Sequence, residues 1–542
     1  MKALVPILLC ILLCGCGGGV PADAEPTPTP EPTPMVLTVS MGAEGSTIDP
    51  SYRSPAESGD LLNHLFEGLV KYAPTDAGET VNAAVPVLGL AESMELSEDG
   101  TVLRFTIRSD AYWSDGVPVT ADDFVYAWGR LLTPVGEGEP RGTHLYGLLR
   151  NAEEVAKGKL PLASLGVVAE SERVLRVELE QPCAWFWKLC AMPCMAPLRR
   201  DLIETYGGDW TAEGHIAVTG AYTIGEWVHD DYMRLVPNPY YYDYENLGLH
   251  EILWKFGNDP TCDFAAGVGK GRVPVAGTYY LYLNANAIPD WRVRAAMLLS
   301  VDRETLAEEL GNGARPAEGL VPEGISMTDG AAYEGGASMY TWLGQTYPDY
   351  DVGTYVGRCA LASALMEQSR AAGSWYGSYT VYVRFNESAV NRSVAERCQA
   401  DWQRVLGLRA EFVPMEVDAY AARLRTNTFD VAYLSWLPDY DDPLSFLQIM
   451  ERGGDYNHSG WGDVRYNEQL KLAAGCLDAP SRDAMLLRAE EMLYEKERFA
   501  VCPLFWYGEQ YAARDGLQNV SHSAAAGYHF CYAEMDSEND FL

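Results

Sequence analysis

The residues best suited to hold a charged partner lie together at Ser435-Trp436-Leu437-Pro438-Asp439-Tyr440-Asp441-Asp442-Pro443, followed by Leu444, Ser445, Phe446 and Leu447. An apolar run from Phe429 to Trp436 leads into this stretch and reads as a buried β-strand. Pro438 and Pro443 stop the strand, so Asp439 falls where strand becomes loop. In open α/β sheets, ligands bind in the crevice beyond strand ends. A carboxylate there, between Trp436 and Tyr440, suits a cation such as a protonated amine. The same residues also read as an acidic turn whose aspartates cap a helix starting near Leu444. Both readings stand at this point.

The elements around the stretch have a regular rhythm. Residues 379–385 read as a strand, 388–406 as a helix with Val390, Val394, Cys398, Trp402 and Val405 inward, 408–413 as a strand, 418–425 as a short helix and 429–436 as the strand above. This β-α-β-α-β order predicts a parallel or mixed sheet with right-handed crossovers, with the motif at its carboxyl edge. Earlier in the chain, Val36 to Ser40 alternates like a strand, and Leu61, Leu62, Leu65, Phe66 and Leu69 recur at helical spacing. Trp113-Ser114-Asp115-Gly116 predicts a turn with glycine at positive φ. Thr120 is an N-cap candidate with Asp122 and Asp123 in the first turn, and Phe124, Ala127, Trp128 and Leu131 would form the buried face. Trp185-Phe186-Trp187 reads as packing. Tyr279 to Leu283 predicts a strand, Asp290 leads an amphipathic helix, 312–350 reads as a long surface loop, 481–495 as a helix and Cys502 to Trp506 as a final strand.

A chain of 542 residues exceeds one compact core and predicts two or more domains. Its formal charge of -36 repels phosphate backbones and anionic headgroups, which argues against nucleic acid as a partner. There is no Gly-x-Ser-x-Gly elbow and no His-Glu-x-x-His pair, and the histidines lack metal-ligand spacing. No metal and no cofactor are expected. Gly267-Val268-Gly269-Lys270-Gly271 lacks the first Gly and the Ser/Thr of a P-loop and reads as a loop. The acidic pairs Asp439/Asp441 and Asp122/Asp123 keep a secreted hydrolase open as an alternative. Past residue 16, nine cysteines remain, scattered, and read as buried apolar side chains, with one pair among Cys183, Cys190 and Cys194 an option.

The N-terminus reads as a targeting element. Lys2, the apolar run Leu4 to Leu13 and then Leu13-Cys14-Gly15-Cys16 are too short to span a membrane. They resemble a bacterial lipoprotein signal at residues 1–16, with lipidation at Cys16. Residues 17–35, with Gly17-Gly18-Gly19 and Thr-Pro repeats, form a spacer. An extracytoplasmic body anchored to the cell membrane is the expectation.

Six pieces in a fixed order carry a wider resemblance: Thr47-Ile48-Asp49-Pro50, Phe66-Glu67-Gly68-Leu69, Trp113 to Trp128, Thr219-Gly220-Ala221-Tyr222, Arg292 to Met297 and Trp436-Leu437-Pro438-Asp439-Tyr440. Across nearly the whole mature chain they resemble the extracytoplasmic oligopeptide-binding proteins of ABC importers, solute-binding protein family 5. The resemblance implies an α/β, two-lobed periplasmic-binding-protein-like fold (type II, class C) with an additional third domain. It places lobe I at 36–69, 190–276 and 505–542, additional domain II at 70–189 and lobe III at 277–504. It further implies a monomer without catalysis that captures oligopeptides between closing lobes and delivers them to an ABC permease. The same scaffold hosts other solutes, such as nickel complexes or glycosides. Asp439 matches the acid that binds the peptide α-amino group. Ser435, Trp436 and Leu437, with Ala56, Glu57 and Ser58, match backbone-pairing segments, and Tyr440 falls in a pocket. Between Trp254 and Tyr279 the chain is shorter than the family pattern, so Asp259 to Val275 is expected to be a trimmed crossover.

Overall fold

The computed structural model describes residues 35–52, 59–76, 78–133, 141–248, 250–333, 338–374, 378–384, 389–495 and 498–536. Its organising element is a ten-stranded sheet. In chain order its strands are β1 (Val36–Ser40), β2 (Tyr222–Val228), β3 (Tyr232–Pro237), β4 (Glu251–Lys255), β5 (Phe264–Leu283), β6 (Arg315–Pro316), β7 (Ser378–Arg384), β8 (Arg409–Met415), β9 (Val431–Trp436) and β10 (Val501–Ala513). The main path runs β8-β7-β9-β5-β1-β4-β3-β2, with β10 paired to β5 and β6 to β10. β7 pairs in parallel with both β8 and β9, as the β-α-β-α-β rhythm requires.

β5 and β10 cross the molecule together. β5 starts beside β1 (Val39 opposite Phe264) and ends beside β9 (Leu283 opposite Val431), with β10 antiparallel along it from Ala513 to Val501. This pair joins two lobes, one built on β1–β4 and the other on β7–β9. A third body is the antiparallel sheet Ala91–Leu96, Val102–Ile107, Val174–Glu178 and Val167–Ser171, which carries the helix Ala121–Leu131. The fold is the two-lobed type II architecture with an added domain.

One expectation about β5 is corrected. Gly267 to Gly271 is not a loop but a bulge within the strand, with φ of +76° at Gly267 and +102° at Gly269. The register slips between Ala266 and Gly271, and a Cβ on Gly269 would sit 2.3 Å from the Tyr511 carbonyl oxygen. Only glycine allows β10 to approach so closely. The short Asp259 to Val275 segment therefore leaves the lobe intact, because the chain enters β5 directly and pairs with β1 at once. The segment 312–350 is corrected too. Leu320, Val321, Ile325, Met339 and Leu343 are buried, and this stretch packs between other elements instead of lying over the surface.

Most of the shared motifs are structural. Asp49 accepts a two-armed contact from Arg130 (2.9 and 2.7 Å) and a bond from Trp210 Nε1 (3.0 Å), which ties its turn to the helix Ala121–Leu131. That helix opens with a capping box in which Thr120 N–H donates to Asp123 at 2.8 Å, and Phe124, Ala127 and Trp128 are fully buried as predicted. Thr219 Oγ accepts from Glu67 N–H (3.0 Å) and donates to Glu67 O (2.9 Å), locking two motifs together. At Gly220 a Cβ would meet His64 O at 2.4 Å and Leu65 C at 2.7 Å, both backbone atoms. Gly220→Ala should therefore push the helix Gly59–Leu65 away and cost about 1–3 kcal/mol, measurable as a lowered denaturation midpoint. Among the described residues every cysteine is a free thiol, so the option of a Cys183, Cys190 and Cys194 pair is not taken up.

Candidate functional site

A cleft of about 890 Å³ opens between the lobes. One wall comes from Leu437, Pro438, Tyr440 and Asp441, beyond the end of β9. Others come from Met41 to Ser46, from Asp60 to Asn63 in the helix Gly59–Leu65, and from Tyr507 to Gln510 in β10. His522 and Ala524 to Gly527 complete the lining near the crossing strands. The stretch singled out from sequence thus ends in the cleft, as the strand-end argument requires.

β9 has an asymmetric set of neighbours. Along Val431–Trp436 it pairs with β5 on one side, with Ser435 opposite Tyr279 and Trp436 opposite Thr278. On the other side β7 pairs with Val431 and Ala432 alone, so Ser435 and Trp436 have no second strand among the described residues. Ser435 is exposed and Leu437 is 51% exposed. The Trp436 ring stands edge-on to Tyr456 at 4.7 Å, and its Nε1–H is buried without a hydrogen-bond acceptor. An edge of this kind can accept an extended chain through main-chain hydrogen bonds.

Asp439 is half-buried, and its N–H donates to Ser445 Oγ at 3.0 Å. Its charge reaches the aromatic pair: burial, and after it Asp439, pushes the Tyr456 hydroxyl above its usual range. Tyr440 lines the cleft but is already engaged. Its ring stacks on Trp185 at 4.3 Å and its hydroxyl donates to Gln448 at 3.1 Å, which makes it a fixed wall. Ala56, Glu57, Ser58 and Cys16 lie outside the described residues.

The two neighbouring aspartates divide differently from the capping expectation. Asp442 does receive the Leu444 N–H (3.0 Å), but its larger role is an ion triad with Lys188 (2.9 Å) and Arg482 (2.9 Å to each oxygen). Burial alone would raise its carboxyl, and the two cations outweigh it and hold it at about 2. Asp441 caps nothing. It accepts from Tyr72 (2.9 Å), from the Ser326 N–H (2.7 Å) and from the Ser326 hydroxyl. One member of each acidic pair that kept a hydrolase open is thereby engaged, Asp441 with these partners and Asp123 in its capping box. Tyr72, Ser326, Lys188 and Arg482 were not identified from sequence, since each comes from a distant segment with no local signal.

This geometry can be set against known proteins. The family model for bacterial extracellular solute-binding proteins, family 5, matches residues 85–273 and 263–458. The chain belongs to this family. It is 27% identical to the periplasmic oligopeptide-binding protein OppA of Escherichia coli, over 86% of each chain. Among solved structures, the unliganded open form of the murein tripeptide-binding protein MppA superposes with a TM-score of 0.78 at 24% identity, covering 93% of this chain and 97% of that one. Listeria monocytogenes OppA bound to peptide gives 0.62 at 21% identity, over 93% and 99%. The family 5 fold seen here is thus matched along nearly its whole length.

Proposed function

We propose that this family 5 protein captures oligopeptides between its lobes and delivers them to an ABC permease, tethered outside the cytoplasmic membrane through Cys16. One observation carries the reading: a cleft of about 890 Å³ lined by Leu437, Pro438, Tyr440 and Asp441, the residues on either side of Asp439, at the end of a strand whose edge is open at Ser435 and Trp436. A receptor tolerant of sequence must hold what all peptides share, their backbone amides and their α-amine. The open edge of β9 supplies the first and Asp439 the second. In this reading the lobes divide as 36–69, 190–276 and 505–542 against 277–504, with 70–189 added to the first. Closure about β5 and β10 then signals loaded cargo to the permease.

Native mass spectrometry of the protein as purified tests this directly. Adducts that fragment into peptide sequence ions are the expected result. A nickel complex, a glycoside or another solute in the cleft, with free-amino peptides failing to displace it, would overturn the peptide assignment. For the anchor, Cys16→Ser should move the protein from the membrane fraction into the soluble extracytoplasmic fraction, and retention on the membrane would refute lipidation there.

A further inference from the structure

Among the described residues, the charged side chains of the cleft lining are all acidic. That lining holds Glu44, Asp60, Asp441 and Glu509, and neither lysine nor arginine. Two of these acids already serve the protein. Glu44 accepts from Trp227 Nε1 (2.9 Å), His229 (2.7 Å) and the Asp230 N–H (2.5 Å), and Asp441 is held by Tyr72 and Ser326.

Asp60 and Glu509 are different. Asp60, in the helix Gly59–Leu65, accepts the Tyr528 N–H at 2.6 Å through Oδ1, and neither acid forms an ion pair with a cation of the described chain. The two sense each other. Burial pushes the Asp60 carboxyl up to about 7, against the pull of the Tyr528 N–H, and the Glu509 charge adds to the rise. Glu509 is likewise raised by burial, against the pull of the Tyr528 hydroxyl. Two neighbouring carboxylates without a cation repel each other when ionised, and an arriving positive charge removes that cost.

A third group lines the same cleft. His522, on the strand Val520–Ser523, is only 6% exposed and lines the cleft. Its ring packs against Tyr528 at 4.7 Å, and no hydrogen bond satisfies its nitrogens within the described chain. Burial holds it neutral, down to about 3, so it competes with no cation and offers a lone pair to a donor.

We propose that Asp60, Glu509 and His522 form a subsite that takes a second positive group of the cargo, a lysine ammonium or arginine guanidinium, on a wall built from other segments than Asp439. The proposal rests on the peptide reading above and names the class of peptide preferred: one carrying a basic side chain besides its free amine. A guanidinium suits such a wall better than an ammonium, since its planar fork carries several donors.

The test uses short free-amino alanine peptides with one arginine at successive positions, each matched by its citrulline isostere, titrated calorimetrically into the full-length protein. At one position arginine should bind about tenfold or more tighter than citrulline. That ratio should fall close to one in Asp60→Asn and, separately, in Glu509→Gln, with folding checked by circular dichroism. Citrulline peptides that bind as well as arginine ones at every position overturn the subsite and leave the peptide reading standing. A ratio unchanged in both variants also overturns it, assigning the preference to the overall negative charge. Binding of neither class overturns the peptide reading and the subsite with it.

Discussion

Asp442→Ala is expected to lower the unfolding free energy by about 3–5 kcal/mol, the range for removing one partner of a buried ion pair. The side chains of Asp442, Lys188 and Arg482 are between 0% and 1% exposed, so two cations would be left in the interior with one anion gone. Part of their hydrogen bonding survives: Lys188 still donates to Ser326 O (2.7 Å) and Met327 O (2.8 Å), and Arg482 to Thr328 (2.8 Å) and Ala473 O (3.2 Å). Those bonds satisfy donors but not charge. Chemical denaturation should show the loss as a lower midpoint at unchanged slope. Replacing all three residues by apolar ones should recover part of it, which a purely steric role for Asp442 does not predict. The pH dependence has a definite sign. The folded-state carboxyl is depressed from 3.8 to about 2, so its contribution is complete above about pH 4 and is lost as pH falls through 2.

The triad also shows why function was partly hidden in the sequence. Lys188 follows the added domain's last strand, Asp442 follows β9, and Arg482 lies in the helix Ala479–Leu493. Nothing local in any of these segments announces the others, and Asp442 read naturally as a helix cap because it is one as well. The β-α-β-α-β unit was legible because hydrophobic period and turn residues are local properties, and its parallel pairing followed from chain connectivity. Strand β5 was half legible. Tyr279 to Leu283 has the apolar pattern of a strand, whereas Gly267 to Gly271 has the composition of a loop and becomes strand only because β10 lies against it. The segment 312–350 misled for the same reason. Its glycines and prolines suit the irregular backbone of its described residues outside β6 and the helix Thr341–Thr346, but say nothing of the neighbours that bury it. At the site, the strand end at Asp439 was visible from one stretch, whereas Asp60, Glu509 and His522 come to line one cleft only once the chain's two ends are folded together.

Asp439→Ala is expected to weaken binding of free-amino peptides by roughly 30- to 1000-fold. A unit charge pair about 4 Å apart at an effective dielectric near 20 is worth about 4 kcal/mol, and desolvation of both groups takes back part of it. The half-buried carboxylate lies near Tyr440 and Tyr456, so lobe closure over a peptide would exclude water from the pair and protect it from salt. Asp439→Asn keeps the shape and the backbone bond to Ser445 and removes only the charge, and it should show most of the same loss. N-acetylated peptides, which carry no α-ammonium, should bind weakly to the parent protein and almost equally weakly to both variants. Calorimetric titration of the matched peptide pairs separates the possibilities. A fall shared by free and acetylated peptides would mean that Asp439 shapes the turn, and an unchanged affinity for free-amino peptides would place the amine elsewhere. A loss confined to the free-amino series assigns the charge recognition to this one carboxylate, with the edge of β9 left to hold whatever backbone follows it.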